Sequence, residues 1–386
     1  MRRSLFRSFC FALGTCLSLA PSPLARAKDA PPTTQPKTVE VCFVLDTTGS
    51  MGGLIDGAKK KIWTIANGIV AADKGAKVKF ALVPYRDRND EYVTKVFDLT
   101  DDLDKVFSDL QSFNANGGGD GPESVNQALD DAVNKISWAA GDGATKLVVL
   151  VGDAPPHMDY QDDVKYAKTC ESAVRKNLII NTVQCGSDGS TTPIWQEIAR
   201  LSEGSYVALE QSGGMVVVET PMDKEIAELS GKIGELAVPY GSREQKLSVA
   251  SKNASAASAP APVAADRAYF NASGGGGAGG GGGFGGKAIQ GRGDLISDVR
   301  EGQVELGTVK VEELPENMQR MSAEERKDYL KKQGEERDKL TARVNELSKQ
   351  RQAVIDAENK KLNNGKGDAF DAKVTEIVNG QVNRKK

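Results

Sequence analysis

Apolar runs and apolar stripes alternate along the first 240 residues of this chain, and the alternation predicts an α/β fold. Residues 41–45 (Val-Cys-Phe-Val-Leu) form an unbroken apolar run, the pattern of a strand buried on both faces. Ile55, Ala58, Ile62, Ile65 and Ile69 then recur at helical spacing, so residues 54–71 read as a helix with one apolar face. Val78, Phe80 and Leu82 alternate along a second strand that stops near Pro84. Residues 93–99 predict a short third strand, an antiparallel edge, and 101–113 a helix. Val125, Leu129, Ala132, Val133 and Ile136 share another helical face. Residues 146–152 are the most apolar strand, followed by a helix over 162–176, a strand over 178–185, a helix over 193–201 and a strand over 205–210. Ile226, Leu229, Ile233 and Leu236 mark a closing helix. The order implies a doubly wound, Rossmann-like, mostly parallel sheet over 38–240 with helices on both faces.

The pattern changes after residue 240. Within 241–295, Ala, Ser and Pro dominate residues 249–265, and two glycine runs cover 274–277 and 279–283. That composition predicts a disordered linker, and no strand precedes the glycines to make them a phosphate loop. Residues 296–386 predict a mainly helical region. A strand-like stretch covers 303–311, and Ser322 with Glu325 forms a capping box that opens a long charged helix to about residue 362. Leu340, Val344, Leu347 and Val354 continue the register of Leu330, while Arg337 and Arg351 interrupt it. A short hairpin or a weak coiled coil fits that seam, with self-association through 320–362. Phe370, Val374 and Ile377 predict a last short helix.

The N-terminus reads as a secretory signal. Arg2, Arg3 and Arg7 precede an apolar run over 9–20 that is too short to span a bilayer. Ala25-Arg26-Ala27 is a small-x-small cleavage pattern, so the mature chain starts at Lys28 with a Pro-rich lead over 28–37. The expected location is secreted or periplasmic, with no transmembrane segment. The 386 residues carry a net charge of −3, and residues 1–27 hold four arginines as their only charges, which leaves −7 on the rest. A surface of that sign excludes nucleic acid as the main partner. Three cysteines follow the cleavage point. Cys42 reads as a core residue, whereas Cys170 and Cys185 are open between a disulfide and two packed thiols.

The chemistry gathers at the expected carboxyl edge of the sheet, where open α/β folds bind ligands. Asp46, Thr48 and Ser50 follow the first strand, Asp120 lies in the turn of residues 116–123, and Asp153 ends the strand over 146–152. Carboxylates and hydroxyls so placed suit a hard cation such as Mg²⁺, with Mn²⁺ or Ca²⁺ as alternatives. The run 44–51 (Val-Leu-Asp-Thr-Thr-Gly-Ser-Met), the Gly-rich turn with Asp120, and Val151-Gly152-Asp153 resemble a von Willebrand factor A-type domain of the bacterial secreted type. That resemblance covers about 38–240 and implies a metal-ion-dependent adhesion site. It implies direct hydroxyl ligands from Thr48 and Ser50, and Asp46 and Asp153 holding the cation directly or through water. Many members carry threonine where this chain has Asp120. Three carboxylates leave the site net negative, so tight metal binding with little need for an acidic partner group is expected.

Other residues are read more plainly. Glu123 could support the metal ligands from behind, but as a charge in a first helical turn it is explained by the helix dipole. Arg86 is expected to pair with a nearby carboxylate, and His157, the only histidine, is incidental. Arg292-Gly293-Asp294 matches an integrin-recognition tripeptide by chance. The leading function is a metal-dependent protein-binding module that is not an enzyme. An oligomerising scaffold is the alternative. A hydrolase has less support: no Gly-x-Ser-x-Gly elbow is present, and Thr48 stands where an aspartyl-phosphate phosphatase needs a second Asp.

Overall fold

A computed structural model describes residues 38–72, 76–119, 121–273, 286–362 and 369–382. The expected signal peptide and Pro-rich lead, Asp120 and the glycine runs lie outside the described residues. The strands are β1 (Thr38–Asp46), β2 (Lys77–Tyr85), β3 (Phe97–Thr100), β4 (Ala144–Gly152), β5 (Leu178–Cys185) and β6 (Tyr206–Leu209). They form one sheet in the order β3-β2-β1-β4-β5-β6, parallel except for the antiparallel edge β3. Val41 lies beside Phe80 on one side and Leu147 on the other, and Asp46 beside Tyr85, so β1 is the centre of the sheet.

Alternation along β1 supplies two cores. Val39, Val41, Phe43 and Leu45 face α1 (Gly52–Ala72) and α2 (Leu103–Gln111). Cys42 and Val44 face α3 (Val125–Asn134), α4 (Tyr166–Arg175) and α5 (Thr191–Leu201). Each fully buried Val, Ile or Phe contributes about 1.5–3 kcal/mol, so the apolar runs of the sequence hold the sheet between its layers. Cys185 belongs to the first core and Cys170 to the second, on opposite faces of the sheet, and both are free thiols, as is Cys42. The disulfide alternative is thereby closed.

Three expectations beyond residue 209 differ from what is observed. The helix α6 (Asp223–Glu235) packs on α8 (Ala261–Ala272) and α11 (Ala323–Leu362) through Ile226, Leu229, Ile233, Ala265, Ala268, Val344 and Leu347, not on the sheet. The place on the sheet beside α1 is filled by α12 (Phe370–Val382), whose Phe370, Val374 and Val378 are buried with Phe43. Gln381 exchanges two amide hydrogen bonds with Asn181 of β5, at 2.9 and 2.6 Å.

The expected linker contains two helices, α7 (Arg243–Ser258) and α8. Ser242 and Gln245 cap α7 reciprocally, and the small side chains of α8 allow close helix packing. Arg267 of α8 is buried on Asp104 of α2, with Nε and Nη2 donating at 2.6 and 2.8 Å. Residues 303–311 form no strand; one-turn 3₁₀ segments occupy Leu306–Thr308 and Val311–Glu313. Short helices α9 (Leu295–Arg300) and α10 (Glu316–Gln319) complete a cluster with Leu330 of α11.

The seam on α11 is spent within the chain. Leu330, Val344 and Leu347 are buried by other helices, and Arg351 donates to Asp223 and Asp266, both at 2.6 Å. A self-associating coiled coil through 320–362 would need that same face. Among the described residues, no helix is long and apolar enough to cross a membrane.

Candidate functional site

Parallel strands ending together bring Asp46, Tyr85, Asp153 and Cys185 to one edge, and the loops beyond them are laced by backbone hydrogen bonds. Thr47 N–H donates to the Tyr85 carbonyl at 2.9 Å, Asn116 N–H to Thr47 at 3.0 Å, and Gly49 N–H to Gly117 at 3.1 Å. Glu123 N–H donates to Pro155, and His157 N–H to Glu123, at 2.9 and 3.0 Å. Arg86 tightens the arrangement from below. Its Nε reaches the Thr47 carbonyl at 3.2 Å and its Nη2 that of Asn114 at 2.8 Å. Its pairing with Glu91, at 3.4 Å, agrees with the expected carboxylate partner.

Three of the expected ligands sit together on the first loop. Thr48 Oγ1 donates to Asp46 Oδ1 at 2.7 Å and lies 3.4 Å from Ser50 Oγ. A hydroxyl that donates its hydrogen keeps its lone pairs for a cation. Asp46 is fully buried and its Oδ2 has no hydrogen-bond partner. Asp153 is adjacent, and its charge pushes the Asp46 carboxyl up. A Cβ on Gly152 would overlap the Tyr85 hydroxyl and crowd Asp46 Oδ2 at 3.0 Å, so glycine is required where β4 passes the site.

Glu123 departs from the helix-dipole reading. It precedes α3, whose N-cap is Ser124, and so is not a first-turn charge. It is 3% exposed and its Oε2 has no partner. Its Oε1 comes within 3.1 Å of a Cβ position on Gly118, next to Thr48. The signal that could have found it is the Pro-Glu pair closing a glycine-rich turn, because such a turn aims its last side chain inward. Asp87 fixes this turn: Ser124 Oγ and the Tyr160 hydroxyl both donate to it at 2.9 Å. His157 also belongs to the rim, 2.8 Å from Asp159 and stacked on Tyr160.

The electrostatics follow from burial. Asp46 is pushed up to about 7, mainly by burial and further by Asp153, against the hydrogen bonds from Thr48. Glu123 is pushed up to about 9 by burial and by the charges of Asp46, Asp87, Asp90 and Asp153. Burial and the charges of Asp46, Glu123 and Asp153 raise the Tyr85 hydroxyl well above its ordinary range. Orphaned carboxylate oxygens, the donor-spent Thr48 hydroxyl and mutually repelling acids fit a hard divalent cation. Among the described residues, no three His, Cys, Asp or Glu side chains alone form a metal-holding group, so a cation here would draw on Thr48 and Ser50.

Comparison with known proteins agrees with the fold. Residues 40–220 match the family model of the von Willebrand factor A domain. A putative ariadne-like RING finger protein of Acanthamoeba polyphaga mimivirus is 21% identical over 243 residues, which is 58% of this chain and 24% of that protein. The chain thus spans about a quarter of that relative's length. Among solved structures, the VWA domain of SpRpn10 is similar at 14% identity and a TM-score of 0.36, covering 46% of this chain and 90% of that one. Proximal thread matrix protein 1 from the mussel byssus is similar at 15% identity and a TM-score of 0.36, covering 46% and 42%.

Proposed function

We propose, from the match of residues 40–220 to the von Willebrand factor A domain model, that the protein is an exported, non-enzymatic binding module that holds a partner protein through a divalent cation. The cation is Mg²⁺, with Mn²⁺ or Ca²⁺ as substitutes, and it supplies a positive centre that accepts an oxygen from the partner. Asp46, Thr48, Ser50 and Asp153 hold it, with Glu123 beside them, and Asp120 stays in the set on its place in the Gly-rich turn. The buried, unpartnered Asp46 Oδ2 carries this reading, because an isolated carboxylate oxygen inside a protein is costly without a counter-charge. Glu123 leaves the site with three carboxylates even without Asp120, so the loaded site stays net negative. A neutral partner oxygen then suffices, and an acidic one is not required. Export rests on the basic start, the short apolar run and the Ala25-Arg26-Ala27 pattern.

The test is a pull-down from host extract in Mg²⁺ and then in EDTA. One band lost on chelation is the expected result, and capture indifferent to EDTA argues against the reading. The ligand set is checked by Mn²⁺ titration. Glu123→Gln is expected to weaken Mn²⁺ at least about tenfold. Asp120→Thr is expected to weaken it too, and an unchanged affinity would remove Asp120 from the set.

A further inference from the structure

The turn after β6 places one neutral side chain on the candidate cation site. Gln211 Nε2 donates to Asp153 Oδ2 at 2.6 Å and lies 3.3 Å from the Ser50 carbonyl oxygen. Its Oε1 packs over Gly186, at the end of β5, where a Cβ would overlap it. Gly186 has φ +80° and donates its N–H to Leu209 at 2.9 Å, which closes β5 and β6 together beneath the amide. One carboxamide therefore touches β4, the first loop and the end of β5.

Packing, not the exposed amide itself, fixes this position. Gly53 and Gly57 lie one turn apart on α1 and leave a shallow groove. The Cβ of Ser212 comes within 3.2 Å of a Cβ position on Gly53, and Met215 fills the space over Gly57. Buried Gly213 rests on Leu54 and Met215, and its carbonyl accepts from Phe370 N–H at 2.9 Å. A turn seated on three sides holds the side chain at 211 over Asp153.

We propose that Gln211 is a positioning residue that sets the cation preference of the site; the inference rests on the metal-binding reading above. By donating to Oδ2 it takes one lone pair of that oxygen and disfavours a cation held by both oxygens of Asp153. A one-oxygen carboxylate suits the six-coordinate geometry of Mg²⁺ or Mn²⁺. Ca²⁺ takes six to eight oxygens and favours carboxylates that bind through both. Gln211 thus selects against Ca²⁺ by weakening one ligand atom, without touching the ion.

The experiment titrates the full chain with Mn²⁺ and Ca²⁺, as wild type and as Gln211→Met, which keeps the length and removes the donor. Calorimetry gives both dissociation constants, and melting in EDTA checks that the metal-free fold is intact. The expected result is a shift of about tenfold in the Ca²⁺-to-Mn²⁺ affinity ratio towards Ca²⁺. Gln211→Asn, whose shorter amide cannot reach as far, is expected to shift the ratio the same way. A wild type that binds both ions with a ratio unmoved by Gln211→Met overturns the role of Gln211 alone. Equal weakening for both ions also overturns it, since that is what general loosening would give. A wild type that binds neither ion removes the site, and with it both readings.

Discussion

In EDTA the protein is expected to lose stability as pH rises from about 5 to 9, the reverse of ordinary acid denaturation. Asp46 and Glu123 cause it. Their folded carboxyls are pushed up to about 7 and about 9, so the folded state holds protons that the unfolded chain releases near pH 4. Stability is therefore full below the unfolded values and falls as pH climbs through the folded ones. A rise of about three units on a fully buried Asp46 corresponds to about 4 kcal/mol as an upper bound. For a chain of this size that is a fall in melting temperature of order 5 °C. Saturating Mg²⁺ is expected to reverse the trend at high pH, because the cation binds the deprotonated carboxylates and competes with protons. Melting curves from pH 5 to 9, in EDTA and in Mg²⁺, measure both slopes. Asp46→Asn should remove much of the EDTA slope and most of the Mg²⁺ gain. A flat profile in EDTA would mean that Asp46 ionises as freely as an exposed acid.

The sheet and the first metal loop were legible in sequence for one physical reason. Central parallel strands are buried on both faces, so β1, β4 and β5 read as apolar runs, and the polar residues that end them stand out. The helices on the sheet were legible through their stripes. What lay beyond local reach was anything decided by a distant partner. The helix α8 is built from small residues such as Ala264, Ala265 and Ala268, which resemble a linker in composition and become core only because α6 and α11 close on them. Arg337 and Arg351 read as breaks in a seam, because their acidic partners lie 43 to 128 residues away. Glu123 carries only the faint signal of the Pro-Glu pair that closes its turn, and Gln211 carries none. One is made unusual by burial among four other carboxylates, the other by a groove of two glycines on α1.

Asp294→Asn is expected to cost about 3–5 kcal/mol. Asp294 is 1% exposed and Arg337, facing it from α11, is 0% exposed. Arg337 Nη1 donates to Oδ2 at 2.6 Å and Nη2 to Oδ1 at 3.2 Å. The same carboxylate accepts from Ser297 Oγ at 2.6 Å, caps α9 through Ser297 N–H, and takes the Val238 N–H at 2.9 Å. Burial alone would raise its pKa; Arg337 and these donors outweigh it and hold Asp294 ionised below the usual range. The carboxylate of the Arg292-Gly293-Asp294 tripeptide is thus interior, which is why that match cannot serve as a recognition motif. Asparagine keeps the size but strands the guanidinium without a counter-charge, and an unpaired buried cation is the expensive state. Arg337→Met should cost less, because Asp294 retains its cap and backbone donors and can take up a proton. Asp294→Leu with Arg337→Met should recover part of the loss, since an apolar pair of similar volume needs no solvation. Urea unfolding of the full chain measures all three. A cost below about 1 kcal/mol for Asp294→Asn would place the pair in solvent rather than in the core.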